Sequence, residues 1–163
     1  MVAPDTRSRL DLALRNARDE LPRLAGQVET FAARVGLPSL VTHRLNLVLE
    51  EIIGNTLAYG YPDGAEHSLR VRVALLADGV EVEIRDDARP FDPLAERPPP
   101  YLGPDLDRRR PGGLGLHLVR RLVREGHYET VGGSNRLIMK LDKEIEKGPT
   151  SLPDTTGAGD GGP

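Results

Sequence analysis

Two alternating runs on either side of an Asp-Gly pair place the strongest limit on the fold. Leu69, Val71, Val73 and Leu75 alternate with Ser68, Arg70, Arg72 and Ala74. Beyond Asp78-Gly79, Val80, Val82 and Ile84 alternate with Glu81, Glu83 and Arg85. Period two puts each apolar set on one face, and Asp-Gly between such runs signals a hairpin. The chain therefore builds antiparallel sheet with one apolar face that other elements must cover. Asp86 is the next residue in the apolar phase of the second run. An aspartate entering a core face needs a partner or a ligand, because a buried unpaired charge is costly. The other reading ends the strand at Arg85 and starts a turn at Asp86.

The covering elements are legible on both sides of the hairpin. Residues 1–7 read as a frayed end. Leu10, Leu12 and Leu14 alternate with polar neighbours from Ser8 to Arg15, which predicts a half-buried strand. From about Ala17 to Val35 the period changes: Leu21, Leu24, Val28, Phe31, Ala32 and Val35 recur at helical spacing, with Pro22 tolerated in the first turn. Gly36-Leu37-Pro38 ends that helix, and Ser39 is placed to cap a second one running to about Tyr59. In this second helix Leu45, Val48, Leu49, Ile52 and Ile53 anchor a core face. Glu51 and Asn55, four residues apart, stack one turn apart on a neighbouring face. Taken alone, that pair also fits an ordinary solvated stripe. Gly60-Tyr61-Pro62-Asp63-Gly64 is a turn.

Residues 88–111 hold seven prolines and few periodic apolar residues. So long a connection without periodicity is usually a functional lid or disordered. Arg108-Arg109-Arg110 near its end is either a solvated basic run or the phosphate-facing end of a lid. Gly112-Gly113-Leu114-Gly115-Leu116 then opens a helix, with Leu114, Leu118, Val119, Leu122 and Val123 on one side and Arg120, Arg121 and Arg124 on the other. Glycines at a helix start let backbone N–H groups approach an anion. Gly126 is expected to close this helix. Two short strands, about His127–Val131 and Arg136–Leu141, follow around Gly132-Gly133. The expected organisation is one domain, residues 8–142, and a disordered tail, 143–163.

Other chemistries are excluded. The 163 residues include no cysteine, which removes disulfides, thiolate metal sites and thiol nucleophiles. A net charge of −3 gives no electrostatic footprint for nucleic acid and no attraction to anionic membranes. No apolar run approaches the ~20 residues of a membrane span, and the N-terminus lacks a signal-peptide pattern. Neither a phosphate-binding G-x-x-x-x-G-K-[ST] loop nor a dinucleotide G-x-G-x-x-G motif occurs, and there is no G-x-S-x-G nucleophile elbow. The four histidines are too dispersed for a local metal cluster.

Three stretches in fixed order carry a resemblance. They are Glu50-Glu51-Ile52-Ile53-Gly54-Asn55 through Gly60-Tyr61-Pro62, then Asp86-Asp87-Ala88-Arg89-Pro90-Phe91-Asp92-Pro93, then Gly112-Gly113-Leu114-Gly115-Leu116-His117-Leu118-Val119. They resemble the N box and the first and second glycine boxes of the histidine-kinase-like (GHKL, Bergerat-fold) ATPases. Within these, the chain from about Leu10 to Leu141 looks closest to bacterial anti-sigma-factor serine/threonine protein kinases, and Asn135-Arg136-Leu137 fits the closing strand of that subgroup. The resemblance implies an α+β two-layer sandwich: a mixed, mainly antiparallel sheet covered on one face by about three helices, with an ATP lid over residues 94–111. It implies ATP and Mg²⁺ as cofactors. Glu51 would act as catalytic base, and Asn55 as an ATP-site residue and Mg²⁺ ligand. Asp86 would accept a hydrogen bond from the adenine amino group, with Ala88 and Phe91 beside it. The backbone of Gly112, Gly113, Leu114, Gly115 and Leu116 would cradle phosphates.

The implied activity is transfer to a serine of an anti-sigma antagonist protein by a cytoplasmic kinase that also binds a sigma factor. A homodimer is compatible with this, and neither direct nucleic-acid nor membrane contact is expected. One position departs from the family pattern, which has glycine two residues after the aspartate where this chain has Ala88. Alanine restricts backbone angles there and adds a methyl group beside the adenine position. That leaves open a protein-interaction module that binds nucleotide weakly or not at all. A small ATPase with no protein acceptor is a further alternative.

Overall fold

The computed structural model describes residues 6–95 and 115–143. After a short 3-10 turn at Thr6–Ser8 the elements run β1 (Arg9–Arg15), α1 (Glu20–Val35), α2 (Ser39–Tyr59), β2 (Ser68–Leu75), β3 (Gly79–Asp86), α3 (Gly115–Leu122), β4 (Glu125–Val131) and β5 (Ser134–Asp142). The five strands form one sheet in the order β1-β2-β3-β5-β4, and every pairing is antiparallel. The parallel pairing that a mixed sheet allows does not occur among the described residues. The architecture is a two-layer α+β sandwich.

Register explains how the apolar face forms. Leu12, Val71, Ile84, Leu137 and Tyr128 stand opposite one another in one row across the sheet, and Leu10, Val73, Val82 and Met139 in the next. Leu24, Val28 and Phe31 from α1, Leu45, Val48, Leu49, Ile52 and Ile53 from α2, and Val119 from α3 close over these rows as one core. Phe31 is the largest of the side chains sealed from solvent, and valines such as Val73, Val80, Val82 and Val119 are sealed with it. Burying a Leu, Ile, Val or Phe contributes roughly 1.5–3 kcal/mol each, so a core of this size needs no covalent staple. The other face of the sheet is polar and carries alternating charges.

Several local expectations change. Helix α1 starts at Glu20 rather than near Ala17, because residues 17–19 turn to let the Glu20 carboxylate bond Arg15 and Arg23. Ser39 does not cap α2: Pro38 holds the N-cap position and no side chain accepts from the first helical amides. Gly126 does not close α3. The helix ends at Leu122, the Arg124 amide bonds the Lys140 carbonyl, and the chain enters β4 directly. Gly126 lies within β4 with the Leu94 side chain in the space a Cβ would take. Leu118, expected on the core side of α3, is 38% exposed, while Leu116 and Val119 are buried. The hairpin forms as expected, but Gly79 has no positive φ. It is needed because a Cβ would run into the Leu141 carbonyl on the neighbouring strand. The β4–β5 turn does use left-handed backbone, at Gly132 (φ 59°) and Gly133 (φ 78°), the pairing a tight two-residue hairpin requires.

Candidate functional site

Asp86 lies in strand β3 as its final residue, opposite Asn135 of β5. The strand therefore does not stop at Arg85, and the apolar phase carries a carboxylate and a carboxamide to one end of the core. Beyond this end the chain folds back toward the C-terminal half of α2. The result is a pocket. Ile52, Asn55, Thr56 and Tyr59 of α2 form one wall, Ile84, Asp86, Leu137 and Asn135 the floor, and Ala88, Phe91, Pro93 and Tyr128 the far side.

The polar groups in the pocket are tied to one another. Asp86 Oδ1 accepts from the Ala88 amide at 3.0 Å and from Asn135 Nδ2 at 2.7 Å. Among the described residues no donor reaches Oδ2. Burial raises the Asp86 carboxyl above its ordinary value, opposed by the hydrogen bonds from Asn135 and Ala88 and assisted by the neighbouring Asp87. Asn135 is only 4% exposed. Its carboxamide also donates to the Ala88 carbonyl at 2.8 Å and accepts from the Tyr128 hydroxyl at 3.0 Å. The Phe91 amide donates to that same hydroxyl at 2.9 Å. Asp92 then folds the chain onward by accepting from the Leu94 amide at 2.9 Å, an Asx-type turn.

Asn55 is 4% exposed and on the pocket wall, while Glu51 one turn earlier is half-buried and outside that wall. The Glu51 carboxylate lies against Gly115 at the start of α3, in the space a Cβ on residue 115 would fill. The structure thus brings Glu51 to Gly115, and gathers Asn55, Asp86, Ala88 and Phe91 around one cavity. Leu116 is buried on α3. Gly112, Gly113, Leu114 and most of the expected lid lie outside the described residues.

Ala88 has no positive φ, so its side chain imposes no backbone strain. Its methyl group packs against Gly60, where a Cβ would sit 2.7 Å from that of Ala88. The Arg89 amide bonds the Gly60 carbonyl at 2.9 Å, fixing the loop to the end of α2.

Asn135 and Tyr128 were not among the expected site residues. The signal was available: Asn135 sits in the apolar phase of β5 with Leu137, Met139 and Leu141, as Asp86 does on β3.

A helix-covered antiparallel sheet, with a pocket between its carboxylate-bearing end and a long helix, defines a class of domain. The histidine kinase-like ATPase domain profile matches residues 14–141, and the chain belongs to that family. Within it, the chain is 26% identical over 112 residues to the serine/threonine-protein kinase BtrW of Bordetella bronchiseptica, covering 69% of this chain and 78% of that protein. It is 25% identical over 127 residues to the serine-protein kinase RsbW of Listeria monocytogenes, covering 75% and 81%. Among solved structures it is similar to the histidine kinase domain of the Erythrobacter litoralis EL346 blue-light activated histidine kinase, at 20% identity and a TM-score of 0.48, over 76% of this chain and 59% of that one. No helix among the described residues is long and apolar enough to cross a membrane.

Proposed function

We propose that this chain is a cytoplasmic, ATP-dependent regulatory kinase that phosphorylates a serine of an anti-sigma antagonist protein and, in its free form, binds a sigma factor, with a homodimer as a compatible assembly. The observation that carries the reading is the convergence of Glu51, Asn55, Gly115 and Asp86 from three separate stretches around one end of the core. The similarity to proteins named as serine kinases supports it.

The pocket fits a nucleotide base. Ile52, Ile84 and Leu137 offer apolar walls, and Asp86 Oδ2 is left for an exocyclic amine. Asn55 would present its amide oxygen to Mg²⁺, a cation that accepts few protein ligands and keeps several waters. Bound Mg·ATP would supply the phosphoryl group and the charge that neutralises it. The backbone at the start of α3 would hold the phosphates, since a helix N-terminus favours an anion. Glu51, whose carboxylate lies against Gly115, would take the proton of an incoming serine hydroxyl.

Purified protein incubated with labelled ATP, Mg²⁺ and the antagonist protein should label the antagonist on serine. Removing a general base costs about 10²–10⁴-fold, so Glu51→Ala should lose at least about a hundredfold in transfer while nucleotide affinity holds. Normal transfer by Glu51→Ala would overturn the base assignment. A folded wild-type protein that binds nucleotide and labels nothing would overturn the kinase reading.

A further inference from the structure

We infer that Asn135 is a positioning residue for nucleotide binding: its carboxamide locks Asp86 and the Ala88–Phe91 loop into one arrangement, and the Tyr128 hydroxyl extends that lock to the start of the segment leading toward α3. The nucleotide half of this inference rests on the reading above; the locking half does not.

The geometry leaves Asn135 one orientation. Its nitrogen meets two acceptors, Asp86 Oδ1 and the Ala88 carbonyl. Its oxygen meets two hydroxyls, those of Tyr128 at 3.0 Å and Thr130 at 3.1 Å. Turning the amide over would set an oxygen against two oxygens. All four hydrogen-bonding positions of the group are used, as a carboxamide this buried requires. Both backbone polar groups of Ala88 are consumed by the Asp86–Asn135 pair.

A hydroxyl at 128 bridges Asn135 to the Phe91 amide. The chain from Asp86 to Phe91 is therefore fixed at three backbone points by three side chains: Asp86 itself on β3, Tyr128 on β4 and Asn135 on β5. Asp86 is held with Oδ1 occupied and Oδ2 left for a ligand. A second effect follows from the donors. Ionised Asp86 is the better acceptor for a base amine, because with Oδ1 taken by two donors a proton would sit on Oδ2, and Asn135 favours the ionised form. Among the described residues the other ionisable groups around it are Asp87 beside it, Tyr61 from the loop after α2, and Tyr59, Arg89 and Tyr128, which line the same pocket.

The test uses Asn135→Asp, which keeps shape and the acceptor toward Tyr128 and Thr130 but replaces the donors with an oxygen facing Asp86. Calorimetric titration with a non-hydrolysable ATP analogue and Mg²⁺ is run at several pH values. Losing a charge-assisted bond and adding a like charge should weaken binding about ten- to hundredfold at neutral pH. Affinity should then rise on acidification, because two carboxyls so close share one proton and the protonated partner again donates to Asp86. Wild type should show no such rise. Tyr128→Phe, which removes a single oxygen, should speed amide exchange at Phe91 with or without nucleotide.

A folded Asn135→Asp protein with wild-type affinity and pH profile would overturn the nucleotide role. Unchanged exchange at Ala88 and Phe91 in both variants would overturn the lock. Absence of analogue binding by the wild type would overturn the function proposed above and the nucleotide half of this inference, and the exchange measurement would still decide the lock.

Discussion

At residue 88 a single methyl group fills a notch that the chain leaves open at residue 60. Gly60 has ordinary helical backbone, φ −81° and ψ −20°, so backbone freedom does not explain a glycine there. Space does: a Cβ would lie 2.5 Å from the Thr56 carbonyl oxygen and 2.7 Å from the Ala88 Cβ. The notch holds one methyl group, and this chain places it on the loop side. Gly60→Ala should destabilise the protein by about 1–3 kcal/mol through overpacking. Ala88→Gly should cost ~1 kcal/mol, from a lost buried methyl and a freer unfolded chain. In the double variant one of the two clashes is relieved and the carbonyl clash remains. Urea unfolding should then show a double variant less destabilised than the sum of the singles by at least about 0.5 kcal/mol. Strict additivity would mean that the two residues do not share the notch.

At the scale of the element, the loop from Gly60 to His67 joins the pocket to the sheet. The His67 ring stacks on Tyr61 with centroids 4.6 Å apart. Its two nitrogens meet Asp87 at 2.9 Å and Asp63 at 2.8 Å, while its backbone amide bonds the Asn16 side chain at 2.8 Å. The bonds to Asp87 and then Asp63 hold the imidazole above its ordinary value, against a smaller opposing effect of burial. A raised folded-state value contributes stability that is complete below the unfolded value of 6.5 and is lost as pH climbs through the higher folded one. The urea midpoint should therefore fall as pH rises above 6.5, and His67→Gln should flatten that part of the profile. An identical slope in the variant would remove His67 from the account.

How far these elements were legible depends on whether their causes were local. Period two offers Asp86 as either a core-face strand residue or the start of a turn, and the strand runs through it, while helical spacing puts Leu45, Val48, Leu49, Ile52 and Ile53 on the core face. Gly126 reads as a helix stop because glycine after a helical run is a common stop signal, yet it lies within β4. Its actual cause, the Leu94 side chain lying across β4, is more than thirty positions away in the chain. Gly79 announced a hairpin correctly for a different reason, the Leu141 carbonyl on β5. The network at Asn135 joins β3, β4, β5 and the loop after Asp86, and only folding sets those four side by side.

Across the whole molecule the two faces of the sheet divide the chemistry, apolar and pocket-bearing on one side, charged on the other. The chain carries a net charge of −3, yet Arg70, Arg85 and Arg136 stand directly opposite one another on β2, β3 and β5. Like charges in facing positions are destabilising, so the sheet needs an acid within the row's reach. Two acids answer the row: Glu129, opposite Arg136 on β4 and bonded to it at 3.3 Å, and Glu83, with its side chain 12% exposed and bonded to Arg85 at 2.7 Å and to Arg136 at 2.9 Å. Burial pushes the Glu83 carboxyl up, but the two arginines outweigh that and hold it below the usual range.

Glu83→Gln keeps the shape and removes the charge. It should lower stability by about 1 kcal/mol at low salt, the scale of a partly exposed ion-pair network. The cause would be repulsion between arginines, which salt screens over ~10 Å at 0.1 M and ~3 Å at 1 M. Added salt should therefore shrink the difference from wild type. A packing defect would leave the difference unchanged across the same salt series. Equal destabilisation at both ends would place the cost in lost hydrogen bonds and not in the arginine row.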